Sequence, residues 1–327
     1  GFYTALYQVN SLIVAVDKLA ASQSRNEILG VASFFRGLIY YHLVSRYGEV
    51  PILEAPFSGD IAASTEEEGW SFVEKNFQVA IDYAPTFSDK YYVSKQAAKA
   101  LMARTKLAQG KLTEAAKLAE EVIGDANFSL ADFDQIFRGK ANREEIFSFV
   151  NLLNESSVNL SASLYSRASA NGGSYTYAPT TKVMNMFEPD DKRTAISIDM
   201  QETNEVINKY PGGEVTTDPI IITRLGEMYL ISAEAQGLSK GLSRLNELRN
   251  FRGLPSVHPA TEEDFIDAIL NERHTELLAE GFRWFDLVRL NRLESDLGFE
   301  RKYNRLPIPA KERSLNKLLN QNSYWAN

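Results

Sequence analysis

Apolar residues return at three- and four-residue intervals through most of the chain, and this period predicts a largely helical protein. Helices are expected over residues 4–20 and 26–47, the second with a broad apolar surface from Ile28 and Leu29 through Phe35, Leu38, Ile39 and Leu43. Gly48 supplies a stop, and Pro51 makes continuation costly. A third helix, over 66–84, opens on Thr65 and Glu68 at capping-box spacing and presents Trp70, Val73, Phe77, Ala80 and Ile81. Ser94 is a candidate N-cap for a helix ending at Gly110, and Leu112 through Ile123 form another, rich in alanine. Joined by a short turn, these two predict an αα-hairpin of the tetratricopeptide type. A further helix over 219–238 pairs with Leu242 through Phe251, where Leu242, Leu245, Leu248 and Phe251 step by three. In residues 262–290, Phe265, Ile266, Ile269, Leu270, Leu277 and Leu278 make a core-facing stripe that Gly281 interrupts.

Between these helices the pattern changes. EEIFSFV, ending at Val150, has the β-branched and aromatic bias of an extended segment. Residues 151–182 are dominated by Asn, Ser, Gly, Ala and Tyr and predict a long loop. A second loop is expected around Pro211–Gly213, and residues 294–327, with Pro307 and Pro309, are expected to be extended or irregular. The closing Tyr324 and Trp325 are expected to dock the tail on the fold.

Composition narrows the chemistry. With 327 residues, 44% of them hydrophobic, the chain can bury a substantial core. Its formal charge of -8 and lack of a Lys/Arg cluster argue against nucleic acid. The three histidines, His42, His258 and His274, lie far apart and there is no cysteine, so no metal or cofactor motif is present. No glycine-rich phosphate loop, GxSxG elbow or ordered Ser–His–acid set occurs. No apolar run approaches the length of a transmembrane helix.

Two groups of residues remain. Glu272, Glu276 and Glu280 stand four apart, a repulsive row on one helix face unless cations offset it. Arg273, Arg283, Asp286 and Arg289 lie within reach in sequence, so the reading is a structural ion-pair network, closed locally or by groups that the fold brings in. The alternative is acid–base chemistry by an acidic pair, whose separation sequence does not give. In the long loop, Tyr165, Tyr175 and Tyr177 accompany Arg167, Asn171 and Lys182. Aromatic faces beside amides and charged donors suit sugar rings, and Trp70 is a further candidate; the plainer reading has the tyrosines packing back on the body. Trp284, beside Phe285, reads as core.

Taken together these stretches resemble the SusD/RagB family of nutrient-binding lipoproteins of the Bacteroidetes outer membrane. NERHTELLAEGFRWFDLVR at 271–289 follows the family's E-R-x-x-E-L-x-x-E-G-x-R-x-x-D-L-x-R pattern at Glu272, Arg273, Glu276, Leu277, Glu280, Gly281, Arg283, Asp286, Leu287 and Arg289. FFRGLIYYHLVSRYGEVPIL at 34–53, residues 94–123, TRLGEMYLISAEA at 223–235, RLPIPAKE at 305–312 and LLNQNSYW at 318–325 match in order. The resemblance implies one mostly α SusD-like domain over 1–327, with tetratricopeptide-like helix hairpins and long irregular loops. Its helical scaffold would take 1–123 and 219–292, a loop-rich ligand region 125–218, and an irregular segment 293–327. It further implies non-catalytic capture of a glycan or oligosaccharide at the cell surface, without a cofactor, and delivery to a SusC-like TonB-dependent transporter. Members carry a lipoprotein signal and a lipidated cysteine that this sequence lacks, so the outer-membrane anchor is inferred. The connection from SAEAQG to LSRLNELR is shorter than in many relatives. Two other readings stay open: a glycoside-processing enzyme, and a helical-repeat interaction scaffold that binds no glycan.

Overall fold

The computed structural model describes residues 1–152, 154, 158–167, 172–210 and 218–325. In chain order the elements are α1 (Phe2–Asp17), α2 (Gln23–Tyr47), α3 (Glu66–Tyr83), α4 (Lys95–Ala108), α5 (Leu112–Ile123), α6 (Phe133–Phe137) and β1 (Glu145–Phe149). Then come α7 (Thr181–Met184), α8 (Thr194–Ser197), β2 (Ile198–Gln201), β3 (Asn204–Ile207), β4 (Ile220–Arg224) and α9 (Leu225–Phe251). The chain ends with α10 (Glu262–Glu276), α11 (Arg283–Arg289), α12 (Leu293–Leu297), a 3-10 turn at Arg301–Asn304 and α13 (Ala310–Leu315). Helix dominates, as the periodicity predicts. These elements form two compact units.

The first unit comprises Gly1–Ser88, Val93–Lys111 and Trp284–Asn327. Helix α1 buries Leu6, Asn10, Ile13 and Val16, a spacing that places all four on the face packed against α2. Helix α2 packs along α3, and α3 along α4. The predicted caps are made: the Glu68 N–H donates to Thr65 Oγ1 at 3.2 Å while Thr65 N–H donates to Glu68 Oε2 at 2.9 Å, and Ser94 Oγ accepts from Ala97 N–H at 3.1 Å. The C-terminal segment is pinned by side chains that act as backbone partners. Asn316 Nδ2 donates to the Ile61 carbonyl at 2.7 Å and its Oδ1 accepts from Ile61 N–H at 3.0 Å. Trp325 Nε1 donates to the Arg305 carbonyl at 2.7 Å, so the closing aromatics fold back on an earlier stretch of the same C-terminal segment. Residues 293–315 are less irregular than the prolines imply, because α13 begins immediately after Pro309, where a missing N–H costs nothing.

The second unit comprises Asp89–Tyr92 and Leu112–Arg283. Its centre is α9, against which α5 and α10 pack. The hairpin predicted over 219–251 forms, with a different start and a tighter turn. Ile220–Arg224 is a strand, antiparallel to β1, and the helix begins only at Leu225. Three isoleucines and a threonine in succession favour the pleated backbone, and the short run carries no helical period to oppose it. The reversal is made at Gly237 alone (φ 68, ψ 177), after which Leu238 N–H is capped by Glu262 Oε1 at 3.1 Å. The two arms then pass so closely that a Cβ on Gly241 would lie 1.8 Å from the Ala233 carbonyl oxygen. Antiparallel pairing of the arms is sealed by Tyr229 Oη donating to Glu247 Oε1 at 3.0 Å.

Three further differences bear on the site. Helices α4 and α5 have the expected ranges, yet α4 packs on α3 within the first unit and α5 on α9 within the second. The β2–β3 hairpin was not anticipated; residues 194–207 carry too little alternation to mark it. Helix α10 stops at Glu276, because Ala279 adopts a left-handed backbone (φ 60) ahead of Gly281 (φ 85). Glu280 therefore lies in the turn after the helix. The loop expected around Pro211–Gly213 lies outside the described residues.

Candidate functional site

The end of α10 is the electrostatic centre of the second unit. Glu276 is fully buried and accepts from Arg193 Nη1 at 2.8 Å, Arg224 Nη1 at 2.5 Å and Arg252 Nη2 at 2.8 Å. Glu272 accepts from Arg193 Nη1 at 2.6 Å and Arg249 Nη1 at 2.7 Å. Glu280 accepts from Arg224 Nε at 2.9 Å and Lys209 Nζ at 2.7 Å, and Glu144 from Arg224 and Arg252, both at 2.8 Å. Asp191 holds Arg193 in a fork at 2.9 and 2.8 Å. Lys209, also fully buried, spends its other two donors on the carbonyls of Glu276 (3.0 Å) and Leu278 (2.9 Å).

At Glu276, Glu280 and Lys209 burial opposes charge while the neighbouring opposite charges favour it. For Glu276 burial would raise the pKa, but the Arg252, Arg224 and Arg193 guanidiniums together hold the carboxyl well below the usual carboxylate range. Glu280 is lowered in the same way, with Arg224 and Lys209 overcoming burial. Burial does prevail at Lys209, whose ammonium is drawn down to about 8 despite Glu280. Carboxylates held ionised and enclosed by guanidiniums have no proton to donate and no open face for a substrate. This arrangement fixes a scaffold.

The seven residues that the sequence singles out here are thus placed as follows. Glu272, Glu276 and Glu280 are neutralised by groups brought in by the fold, Arg193 from 83 residues before Glu276. Arg193, Lys209, Arg224, Arg252 and Glu144 were not legible as partners, since no local spacing connects them to α10. The one signal was the unbalanced glutamate row itself. Asp286 Oδ1 accepts from Arg289 Nε at 3.0 Å, Arg283 Nη1 donates to the Leu270 carbonyl at 3.2 Å, and the Arg273 guanidinium lies 5.9 Å from the Phe282 ring centre.

The ligand candidates divide. Trp70, in the first unit, is packed edge-to-face on Tyr41 at 5.8 Å with its Nε1 donating to Glu66 Oε1 at 3.2 Å; it is buried. Tyr165 is 1% exposed and donates its hydroxyl to Asn208 Oδ1 at 2.9 Å, while burial pushes its pKa up to about 12. Neither ring offers a face. Asn171 lies outside the described residues. Trp284 is half-buried against Phe299 at 5.4 Å.

Arg167, Tyr175 and Tyr177 share one shelf of the second unit. Residues 174–177 are tied to 162–165 by Ser174 N–H to the Ala162 carbonyl (2.6 Å), Tyr175 N–H to that of Tyr165 (3.0 Å) and Tyr177 N–H to that of Ser163 (2.9 Å). Tyr175 is half-buried in a left-handed conformation (φ 50), its hydroxyl donating to the Glu205 carbonyl at 2.9 Å. Tyr177 is 66% exposed. Arg167 is exposed and its Nε reaches the Ser174 carbonyl at 3.3 Å. Backbone hydrogen bonds between these two segments thus carry one exposed phenol ring, Tyr177, and one exposed guanidinium, Arg167.

Comparison with known proteins adds the family. The model described as "SusD family" matches residues 104–304, and one described as "Starch-binding associating with outer membrane" matches residues 1–107. The SusD-like protein P2 of Formosa agariphila is 26% identical over 372 aligned residues, covering 91% of this chain and 74% of its own. A laminarin-binding SusD-like protein superposes with a TM-score of 0.85 at 24% identity, over 98% of this chain and 84% of that one. A SusD superfamily protein from Bacteroides vulgatus gives a TM-score of 0.87 at 22% identity, over 99% and 84%. With the family pattern spanning well over half of its length, this chain belongs to the SusD family.

Proposed function

We propose that the protein captures a glycan or oligosaccharide at the surface of the outer membrane, without catalysis, and delivers it to a SusC-like TonB-dependent transporter. Membership of the SusD family is the observation that carries this reading. The shelf of Arg167, Tyr175 and Tyr177 is the proposed contact surface, with Tyr177 as its stacking ring. A phenol face covers the C–H face of a sugar, and neighbouring donors meet its hydroxyls. Trp70 and Tyr165 are left out because their rings are enclosed. Against the enzyme alternative stand Glu276 and Glu280, buried carboxyls that the neighbouring cations hold below the usual carboxylate range.

Calorimetric titration against a panel of plant, fungal and algal polysaccharides, laminarin included, tests the proposal. Saturable binding without release of new reducing ends is expected, and Tyr177→Ala is expected to weaken it about tenfold or more at unchanged melting temperature. Reducing-end release abolished by mutation of one acidic pair would sink the non-catalytic reading. Failure of the whole panel to bind would favour the interaction-scaffold reading. Coupling to the transporter is tested by co-purification of the two from outer membranes.

A further inference from the structure

The stretch that carries the tyrosine shelf differs from the rest of the chain in charge. The sequence holds 43 acidic residues against 35 lysines and arginines, yet residues 156–187 contain no aspartate or glutamate and two cations, Arg167 and Lys182. Both cations are exposed, and they bracket Tyr177 along the chain. Several other cations of the second unit have carboxylate partners, as Arg244 has Glu120 at 2.7 Å, Arg249 has Glu272 at 2.7 Å and Lys90 has Glu145 at 2.6 Å. Among the described residues neither Arg167 nor Lys182 has one.

Arg167 is also aimed. Ser166 ahead of it is buried and held twice to the β2–β3 hairpin, its N–H donating to Gln201 Oε1 at 3.1 Å and its Oγ accepting from Asn204 Nδ2 at 2.7 Å. Arg167 Nε then donates to the Ser174 carbonyl at 3.3 Å, which leaves both Nη groups without a partner among the described residues. Asp199, Glu202 and Glu205 lie on the same hairpin, and none of them pairs with Arg167. The Ser174 carbonyl is three residues from Tyr177, a separation on the order of 10 Å along an extended chain. A guanidinium with two free Nη groups presents a fork that matches two oxygens of one carboxylate or sulfate. A phenol face nearby covers the ring of a sugar that bears such an anion.

We propose that the shelf selects anionic glycans, with Arg167 as the residue that recognises a sugar carboxylate or sulfate; this rests on glycan capture at the shelf. The probes are oligogalacturonates with their methyl esters, which keep the ring and linkage and lose the charge, and a sulfated galactan oligosaccharide with its desulfated form. Each is titrated into the full chain at about pH 7, where uronates are ionised. At least one charged form is expected to bind about tenfold or more tighter than its neutral counterpart, a preference that shrinks as salt is raised. Arg167→Gln is expected to erase the preference at unchanged melting temperature, and Arg167→Lys to keep part of it, since an ammonium retains the charge without the fork. Tyr177→Ala is expected to weaken charged and neutral forms alike. Equal binding of charged and neutral forms, binding of neutral glycans alone, or a preference that survives Arg167→Gln would overturn the selectivity and leave glycan capture standing. Binding of no probe here and of no polysaccharide in the wider panel would overturn both.

Discussion

At Glu276 two large effects oppose one another: removal from water, and the field of three guanidiniums within 3.1 Å. The second prevails, so the residue is ionised in the fold. Whether such a cluster adds net stability over an apolar core is a separate matter, but deleting one member strands the others without water. Arg224→Ala is therefore expected to cost about 3–5 kcal/mol in urea unfolding, and Arg224→Lys to recover only part, because an ammonium lacks the fork that reaches Glu144, Glu276 and Glu280 at once. The folded pKa of Glu276 lies below its unfolded value, so its contribution is complete above about pH 4.3 and is lost as pH falls through the folded pKa. His42 governs a different window. Burial first, then Arg46 and Arg104, hold its imidazole down to about 3, and Arg46 Nη1 donates to its Nδ1 at 2.7 Å. An unfolded histidine binds its proton near pH 6.5, so the fold loses stability as pH falls from about 6.5 towards 3, at roughly 1.4 kcal/mol per pH unit. His42→Gln keeps an acceptor for Arg46 and removes the titration. Its unfolding free energy between pH 6.5 and 5 is expected to be flatter than the parent's by about that slope, and an unchanged slope would refute the assignment.

Elements were legible where their signals are local. The caps at Thr65 and Ser94, the stops at Gly48 and Gly110 and the stripes of α2 to α5 all act within a few residues, and each helix lies near its expected range. Thr65→Ala is expected to lower stability by about 1 kcal/mol in thermal or urea unfolding, the worth of one capping hydrogen bond. What failed was local ambiguity resolved by tertiary pairing. Ile220–Arg224 is apolar enough for either helix or strand, and β1 decides for strand. Ala279 carries no mark of a left-handed residue, so the end of α10 was placed too late. The α9 turn shows how little sequence such a decision needs. Gly237 reverses the chain, and Gly241 lets the arms meet. Gly241→Ala forces a methyl group into the Ala233 carbonyl and is expected to cost about 3 kcal/mol or prevent folding, read from the urea midpoint.

On the scale of the molecule, family and helical character were legible from ordered motifs, whereas the ligand surface was not. Aromatic residues in a loop announce a platform only if their rings stay outside, and Tyr165 and Tyr177, twelve residues apart in one loop, end at 1% and 66% exposure. Exposure is settled by what lies across the loop, here Asn208 for Tyr165, which no periodicity encodes. The buried charge cluster also constrains how the chain is made. Its cations lie at 193, 209, 224, 249 and 252, ahead of the carboxylates of Glu272, Glu276 and Glu280. During synthesis from the N-terminus those cations emerge before most of their counter-charges, and domain closure must wait for the last of them. A nascent chain halted after residue 261 is expected to be cut readily by protease across residues 112–261, and one extended past Gly281, clear of the ribosome, to resist. The motif that most clearly marks the family is then also the segment whose arrival lets the second unit finish folding.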